Sequence, residues 1–155
     1  MQQGYFLGDE ERLFRDSLTK LLAESWSDTE RRKHAASDPG FSRAVWKRLA
    51  SQGALGAFLP ESAGGTGGGG LALMVVMEAF GRACFTSPYL TTVAAAAPLL
   101  MAAGTTGSEL LRGIGKGVAV VTVALTEPRS RYDLNHVETR AERKGKGYAL
   151  SGKKS

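Results

Sequence analysis

The residues of this chain whose side chains could do acid–base, nucleophilic or metal chemistry are few and far apart. The two histidines, His34 and His136, have no cysteine or carboxylate neighbours at metal-ligand spacing, so the sequence predicts no zinc site. The pattern Gly-x-Ser-x-Gly does not occur, and a nucleophile elbow is therefore not expected. Residue spacing alone thus identifies no catalytic residue and no metal ligand.

Two glycine-rich stretches have the composition of phosphate-binding loops but lack their context. Residues 65–70 satisfy the spacing of a dinucleotide fingerprint, yet no convincing strand precedes them, and Leu90 stands where a ribose-binding acid belongs. Residues 113–117 fail as a phosphate loop, because Gly117 follows Lys116 where a serine or threonine would hold magnesium. We interpret the run at 64–70 as a flexible or tightly turned loop, since a glycine inside a helix costs about 1 kcal/mol relative to alanine.

The single cysteine, Cys84, cannot form an internal disulfide. Its neighbours Phe80, Ala83 and Phe85 are apolar, which predicts an inert thiol in the hydrophobic core.

The sequence Ala124-Leu125-Thr126-Glu127-Pro128 is the most suggestive short motif. It ends a β-branched apolar run at 118–125 that has the length and composition of a buried strand. A hydroxyl and free backbone amides at a strand-to-loop transition commonly contact ligands.

Apolar residues at three- and four-residue steps predict the helices that must position these motifs. Ser27 and Glu30 stand at capping-box spacing. The patterns indicate six helices, which begin near Asp9, Ser27, Phe41, Leu71, Tyr89 and Ser108.

The hydrophobic pattern of the last part of the chain, from residue 118 onward, predicts strands. After the run at 118–125, residues 136–143 alternate between apolar and polar side chains, residues 144–147 form a turn, and residues 148–151 form another strand. The predicted fold is mainly α, a six-helix N-terminal bundle followed by the first strands of a β-domain. Because so few strands would leave a small sheet with open edges, we expect the chain to stop inside its second domain.

Composition narrows the class of protein. The 155 residues are 43% hydrophobic and 23% charged, as in an ordinary globular protein, with a net charge of +5. The basic residues form no stripe and no recognition motif, which counts against nucleic-acid binding. The longest apolar run, residues 93–103, is shorter than the roughly 20 residues of a membrane span. We therefore expect a cytoplasmic protein with neither nucleic acid nor membrane as a partner.

Several short motifs, taken in order, resemble the acyl-CoA dehydrogenase family. They are Trp46-Lys47-Arg48-Leu49, Gly53-Ala54-Leu55-Gly56, Leu59-Pro60-Glu61, Gly64-Gly65-Thr66-Gly67, Met77-Glu78-Ala79-Phe80-Gly81-Arg82, Ala124-Leu125-Thr126-Glu127-Pro128, Thr139-Arg140-Ala141-Glu142 and Tyr148-Ala149-Leu150-Ser151-Gly152-Lys153-Lys154-Ser155. The resemblance implies an N-terminal helical domain over residues 1–116 and the beginning of a middle β-domain over residues 117–155.

The resemblance also implies a flavoprotein oxidoreductase of fatty acid or lipid metabolism. Such an enzyme uses FAD to oxidise an acyl-CoA thioester to its 2,3-enoyl form, and it works as a homo- or hetero-oligomer of dehydrogenase subunits. The family's catalytic base usually lies in a C-terminal domain, beyond the end of this chain.

By position, the resemblance implies that the cofactor is contacted by Val123, Leu125, Thr126, Arg131 and Tyr132, with the Thr126 hydroxyl as a partner of the isoalloxazine ring. The chain departs from the family where Arg131 and Tyr132 replace a glycine and a serine. These larger side chains either block ordinary docking of flavin or CoA, or let the Arg131 fork meet a phosphate. Three alternatives stay open: a normal flavin loop, a degenerate subunit that supports a partner's active site, and an unrelated role.

Overall fold

The computed structural model describes residues 7–155. They form two compact units that divide between Thr122 and Val123, here called the helical unit and the β-unit. The predicted family boundary after residue 116 stays a prediction.

The six predicted helices are confirmed within the described residues. They are α1 (Asp9–Ser25), α2 (Asp28–Ala35), α3 (Arg43–Ser51), α4 (Gly69–Arg82), α5 (Ala97–Ala102) and α6 (Ser108–Gly115). Short 3₁₀ helices occupy Glu61–Ala63 and Gly104–Gly107. The helix predicted from Tyr89 is different in its first part, because Leu90–Ala96 forms a π-helix that leads into α5. Pro98 has no N–H to donate to the carbonyl four residues earlier, which suits a change of hydrogen-bond register at this place.

Serine side chains cap the N-termini of two of the helices. The Ser27 hydroxyl accepts a hydrogen bond from the Glu30 N–H at 3.2 Å, which confirms the cap expected from the spacing. The Ser42 hydroxyl accepts from the Val45 N–H at 3.3 Å and begins α3 in the same way. Each cap satisfies a backbone donor that the first helical turn leaves without a partner.

The core of the helical unit is built from the apolar stripes of these helices. Its largest fully buried side chains include Trp46, Tyr89, Leu18, Leu49 and Ile114. The Tyr89 hydroxyl donates to the Ala54 carbonyl at 3.2 Å, and burial raises the pKa of this phenol far above its usual value. The hydrogen bond satisfies the polar end of an otherwise apolar side chain.

The glycine run is a tightly turned loop, as predicted, for residues 64–68. Its amides donate to earlier carbonyls, for example Gly67 N–H to Leu59 at 2.8 Å and Gly68 N–H to Ala57 at 3.0 Å. Gly65 lies so close to the Leu59 carbonyl that no side chain would fit there. The expectation that the whole run is a loop was wrong at its end, because α4 begins at Gly69. The helical cost of glycine applies to interior positions, whereas Gly69 and Gly70 lie in the first turn.

Cys84 is exposed, which corrects the prediction of a buried thiol. The residue lies just past α4 with a φ of 46°, where the Phe85 N–H donates to the Phe80 carbonyl at 2.9 Å. This bond is typical of a helix C-terminus that ends in a left-handed residue, usually glycine. The apolar neighbours of Cys84 therefore did not determine its burial, since the backbone geometry turns it outward.

The β-unit contains one antiparallel hairpin, of β1 (Arg140–Lys144) and β2 (Gly147–Ser151). Arg140 pairs with Ser151 and Lys144 with Gly147, which leaves a two-residue turn. Gly145 has a φ of 62° at the first turn position, where the type II′ hairpin turn requires glycine.

The predicted strand at 118–125 is not formed. A strand requires a second strand that pairs with it, and this segment has other hydrogen-bond partners. The Val118 and Ala119 amides both donate to the Gly113 carbonyl at 3.0 Å, and the Val121 carbonyl accepts from the Thr92 hydroxyl at 2.8 Å. The apolar, β-branched composition of this segment therefore did not determine a position in a sheet.

Candidate functional site

The loop that contains the predicted cofactor-contacting residues is organised around the carboxylate of Glu127. This side chain is 1% exposed. Its Oε2 accepts a hydrogen bond from the Glu138 N–H at 2.6 Å, and its Oε1 accepts from the Thr139 N–H at 3.0 Å and the Thr139 hydroxyl at 2.6 Å. The Lys154 ammonium lies 2.8 Å from Oε1. One carboxylate thus joins the loop, the segment before β1 and the segment after β2.

These partners stabilise the charged form of Glu127. The Lys154 ammonium, the Thr139 hydroxyl and the backbone N–H groups of Glu138 and Thr139 lower the pKa of Glu127 from 4.5 to about 2, against the opposing effect of burial. The carboxylate is therefore ionised at any physiological pH. Because the N–H groups of Glu138 and Thr139 are bound here, the regular pairing of β1 starts only at Arg140, later than the predicted start at residue 136.

A second polar side chain closes the turn after Glu127. The Ser130 hydroxyl accepts from the Glu127 N–H at 3.1 Å and donates to the Glu127 carbonyl at 3.0 Å. Residues 123–155 are all described by the structure, and Glu127 and Ser130 are the buried residues among them. The β-unit is therefore held by a polar network and not by an apolar core of its own.

Thr126 is attached to Ser155 through three contacts. Its hydroxyl donates to the Ser155 carbonyl at 2.6 Å and lies 3.3 Å from the Ser155 hydroxyl. The Ser155 N–H donates to the Thr126 carbonyl at 2.9 Å. The Thr126 hydroxyl therefore donates its proton within the chain, and its oxygen can still accept a hydrogen bond from a further partner.

The other predicted site residues differ widely in their exposure. Val123 is half-buried, Leu125 is 58% exposed, and Tyr132 is fully exposed. Arg131 is exposed and has a φ of 49°, a backbone conformation that favours glycine. Val123, Leu125 and Thr126 are consecutive or nearly so, whereas the Glu127–Ser130 turn separates them from Arg131 and Tyr132. Among residues 7–155, no hydrogen bond joins these two groups.

The donor and acceptor groups at Leu125 and Thr126 suit the edge of an isoalloxazine ring. The ring has an apolar body with polar atoms at its rim, and Leu125 presents an exposed apolar side chain next to the Thr126 hydroxyl. Within the described chain the main-chain N–H groups of Leu125 and Thr126 donate to no protein acceptor. The predicted cofactor contacts at Leu125 and Thr126 stay a prediction, and what the chain offers there is one exposed apolar side chain and two N–H groups without a described acceptor.

Sequence reasoning missed Glu127 and Lys154 as the residues that hold the loop. The motif at 124–128 drew attention to Thr126, but a glutamate next to a proline gave no sign of burial. A signal was present in the spacing, because Thr139 and Lys154 flank the two hairpin strands that return to the loop. Only the hairpin register brings these partners to one carboxylate.

The described residues contain neither a cluster of potential metal ligands nor a helix of membrane-spanning length and apolarity. Over residues 7–155 no group of three His, Cys, Asp or Glu side chains is placed to hold a metal ion. In the same range no helix has the length and apolar character needed to cross a bilayer.

Comparison with known proteins gives consistent matches. The profile described as "Acyl-CoA dehydrogenase, N-terminal domain" matches residues 8–109. Acyl-CoA dehydrogenase IpdE2 of Mycobacterium tuberculosis is 31% identical over 118 residues, which are 76% of this chain and 37% of that protein.

Two solved structures are similar over almost the whole chain. The Tcur3481-Tcur3483 steroid ACAD G363A variant matches with a TM-score of 0.83 and 31% identity, over 96% of this chain and 41% of that one. The ChsE4-ChsE5 complex from Mycobacterium tuberculosis matches with a TM-score of 0.79 and 25% identity, over 97% of this chain and 40% of that one. The chain thus spans about two fifths of the length of each of these three proteins.

Proposed function

Because this chain belongs to the acyl-CoA dehydrogenase family, we propose that it is part of an FAD-dependent enzyme that oxidises an acyl-CoA thioester to the 2,3-enoyl-CoA. The observation that carries the proposal is the loop at 125–127, where an exposed Leu125 and two N–H groups without a described acceptor directly precede the buried Glu127, which anchors the loop to the hairpin. The protein would work in a homo- or hetero-oligomer of dehydrogenase subunits. The two parts of the chain would be the N-terminal helical domain, residues 1–116, and the start of the middle β-domain, residues 117–155.

FAD, when bound, would accept the hydride that leaves the β-carbon of the substrate. The contribution of this chain is to bind and orient the cofactor. Leu125 would cover part of the apolar ring, and the N–H groups of Leu125 and Thr126 would donate to its polar rim. The Thr126 hydroxyl would accept a hydrogen bond there, because its own proton is held by the Ser155 carbonyl.

A second candidate function is that of a supporting subunit without flavin of its own. It is favoured by Arg131 and Tyr132, two large exposed side chains where the family commonly has glycine and serine. Among the structural relatives, ChsE4-ChsE5 is by its name a complex of two proteins. In this alternative, Arg131 and Tyr132 would contact the partner subunit instead of a cofactor.

Native mass spectrometry combined with FAD titration separates these functions. The first function predicts bound FAD, and Thr126→Val should weaken FAD binding by about tenfold through the lost hydroxyl. Thr122→Val, an exposed threonine outside the loop, is the matched control and should leave the affinity unchanged. A complex with a longer dehydrogenase chain but without FAD at this loop would favour the supporting subunit. A chain that binds neither FAD nor a dehydrogenase partner would contradict both functions.

A further inference from the structure

An open depression of about 720 Å³ lies within the β-unit, beside the polar network and apart from Thr126. Three segments line it: residues 127–129, residues 138 and 140 around the start of β1, and residues 151–153 around the end of β2. Its basic side chains are Arg129, Arg140 and Lys153, one from each segment.

The hairpin register explains why these side chains converge. Arg140 and Ser151 are directly paired, so their side chains lie on the same face of the hairpin. Glu138 precedes Arg140 by two residues and Lys153 follows Ser151 by two, which places both on that face as well. The two segments continue side by side beyond the ladder, because a Cβ at Gly152 would lie 2.7 Å from the Thr139 Cα. The depression is therefore a continuation of one face of the hairpin.

The charges that line the depression do not cancel. Glu127 contributes no free negative charge, because Lys154 pairs with it at 2.8 Å. Glu138 lies 3.7 Å from the Arg129 guanidinium and 3.4 Å from the His136 ring, so it offsets the charge of Arg129. Across the described residues, Arg140 and Lys153 have no carboxylate within salt-bridge distance. Two positive charges thus remain without a counter-charge.

We propose that this depression binds a phosphate-type oxyanion, held by Arg140 and Lys153. A phosphate monoester carries about 1.5 to 2 negative charges at neutral pH, and a diphosphate carries at least as many, so either would meet the uncompensated positive charge of the site. The planar fork of Arg140 can donate two parallel hydrogen bonds to phosphate oxygens, and Lys153 adds a mobile ammonium. The Ser151 hydroxyl, opposite Arg140, is a further donor on the same face.

The site is separate from the proposed flavin contact and does not depend on it. It uses none of Val123, Leu125, Thr126, Arg131 or Tyr132. Failure of FAD binding at the loop would therefore leave the oxyanion proposal standing, and the reverse also holds.

Titration of the full chain with inorganic pyrophosphate tests the proposal, by isothermal calorimetry and by NMR shifts of the Arg140 and Lys153 side chains. We expect saturable binding in the millimolar range that weakens as salt is raised. The double variant Arg140→Gln/Lys153→Gln should lose at least about tenfold in affinity. The matched control is Arg143→Gln/Lys146→Gln, which removes the same charge from the opposite face of β1 and from the hairpin turn. It should change the affinity by less than about twofold.

Glu138→Gln gives the sharpest test, because a damaged fold cannot mimic its expected result. Removal of this carboxylate from the edge of the depression should raise the pyrophosphate affinity by about two- to threefold. The proposal is overturned if no saturable binding is observed, or if the control variant weakens binding as much as the double variant does. Lower affinity in Glu138→Gln would also overturn it.

Discussion

Glu127→Gln is the substitution expected to disturb the β-unit most, although it preserves the size of the side chain. Both carboxylate oxygens of Glu127 accept hydrogen bonds: Oε2 from the Glu138 N–H, and Oε1 from Thr139 and Lys154. A glutamine has one acceptor oxygen and one donor nitrogen. In either orientation of the amide, its NH₂ group must face a donor, so at least one of these contacts is lost and replaced by repulsion.

The size of the expected effect follows from the number of hydrogen bonds that the Glu127 carboxylate accepts. If the amide oxygen keeps the Thr139 and Lys154 side, the Glu138 N–H loses its acceptor, and in the other orientation Thr139 and Lys154 lose theirs. A hydrogen bond to a charged acceptor corresponds to a factor of about 10 to 100 in an opening equilibrium. We therefore expect amide hydrogen exchange at Glu138 or Thr139 to accelerate at least about tenfold.

The assay is residue-resolved hydrogen exchange by NMR on the full chain, with Glu142→Gln as the matched control. Glu142 is exposed on β1, so its substitution removes the same charge without touching the network. Amides of the helical-unit core, such as those of Leu49 and Val75, should exchange as before in both variants. If exchange at Glu138 and Thr139 is unchanged in Glu127→Gln, or rises equally in Glu142→Gln, the assigned role of the carboxylate is wrong.

The pH dependence of the wild-type chain gives an independent check on the same group. The folded-state pKa of Glu127 is about 2, below its ordinary value of 4.5. A depressed carboxyl pKa stabilises the folded state above the ordinary value, and that stabilisation is lost as the pH falls towards the folded value. Protection of Glu138 and Thr139 should therefore be constant above about pH 5 and should decrease between about pH 4.5 and pH 2. Glu127→Gln should remove this dependence.

Three further predictions concern backbone geometry and burial. Arg131→Gly should stabilise the β-unit by about 1 kcal/mol relative to Arg131→Ala, because the φ of 49° is unstrained only for glycine. Hydrogen exchange of the β1 and β2 amides measures the difference, and equal protection in the two variants would contradict the prediction. Cys84→Gly should likewise have a higher urea midpoint of unfolding than Cys84→Ala, because the φ of 46° favours glycine. The wild-type thiol should react with a disulfide reagent under native conditions, and a thiol that reacts only in denaturant would show that it is buried. Tyr89→Phe should destabilise the helical unit by about 1–2 kcal/mol in urea unfolding, because it leaves the Ala54 carbonyl without its donor. Tyr148→Phe on the exposed hairpin should be neutral, and equal effects of the two substitutions would refute the importance of the buried hydrogen bond.

The helices and the hairpin turn were predictable because their signals are local in the chain. The Ser27 cap lies three positions before its donor, Glu30, and Gly145 is required by a two-residue turn. Apolar periodicity reports which side of a helix meets a core without specifying what it meets. These features depend on backbone geometry over a few residues, and the spacing of residue types is sufficient to reveal them.

Cys84 and the segment at 118–125 were predicted incorrectly because their state depends on distant or conformational partners. Apolar neighbours suggested a buried cysteine, but the left-handed end of α4 turns it outward. A β-branched run suggested a strand, but no strand of the described chain pairs with it, and Gly113 and Thr92 take its polar groups instead.

The sequence by itself determined the family and the mainly helical fold of the first part of the chain, because ordered motifs and periodicity are properties of the chain. Tertiary structure alone decided that Glu127, rather than Thr126, holds the loop at 123–132, and that Arg140 and Lys153 meet at one depression. The reason is the hairpin. Its register brings residues 138–140 and 151–154 back to the turn at 127–129. The Glu127 carboxylate thereby becomes the common partner of Lys154 and Thr139. The same register brings Arg140 and Lys153 to the depression without a counter-charge.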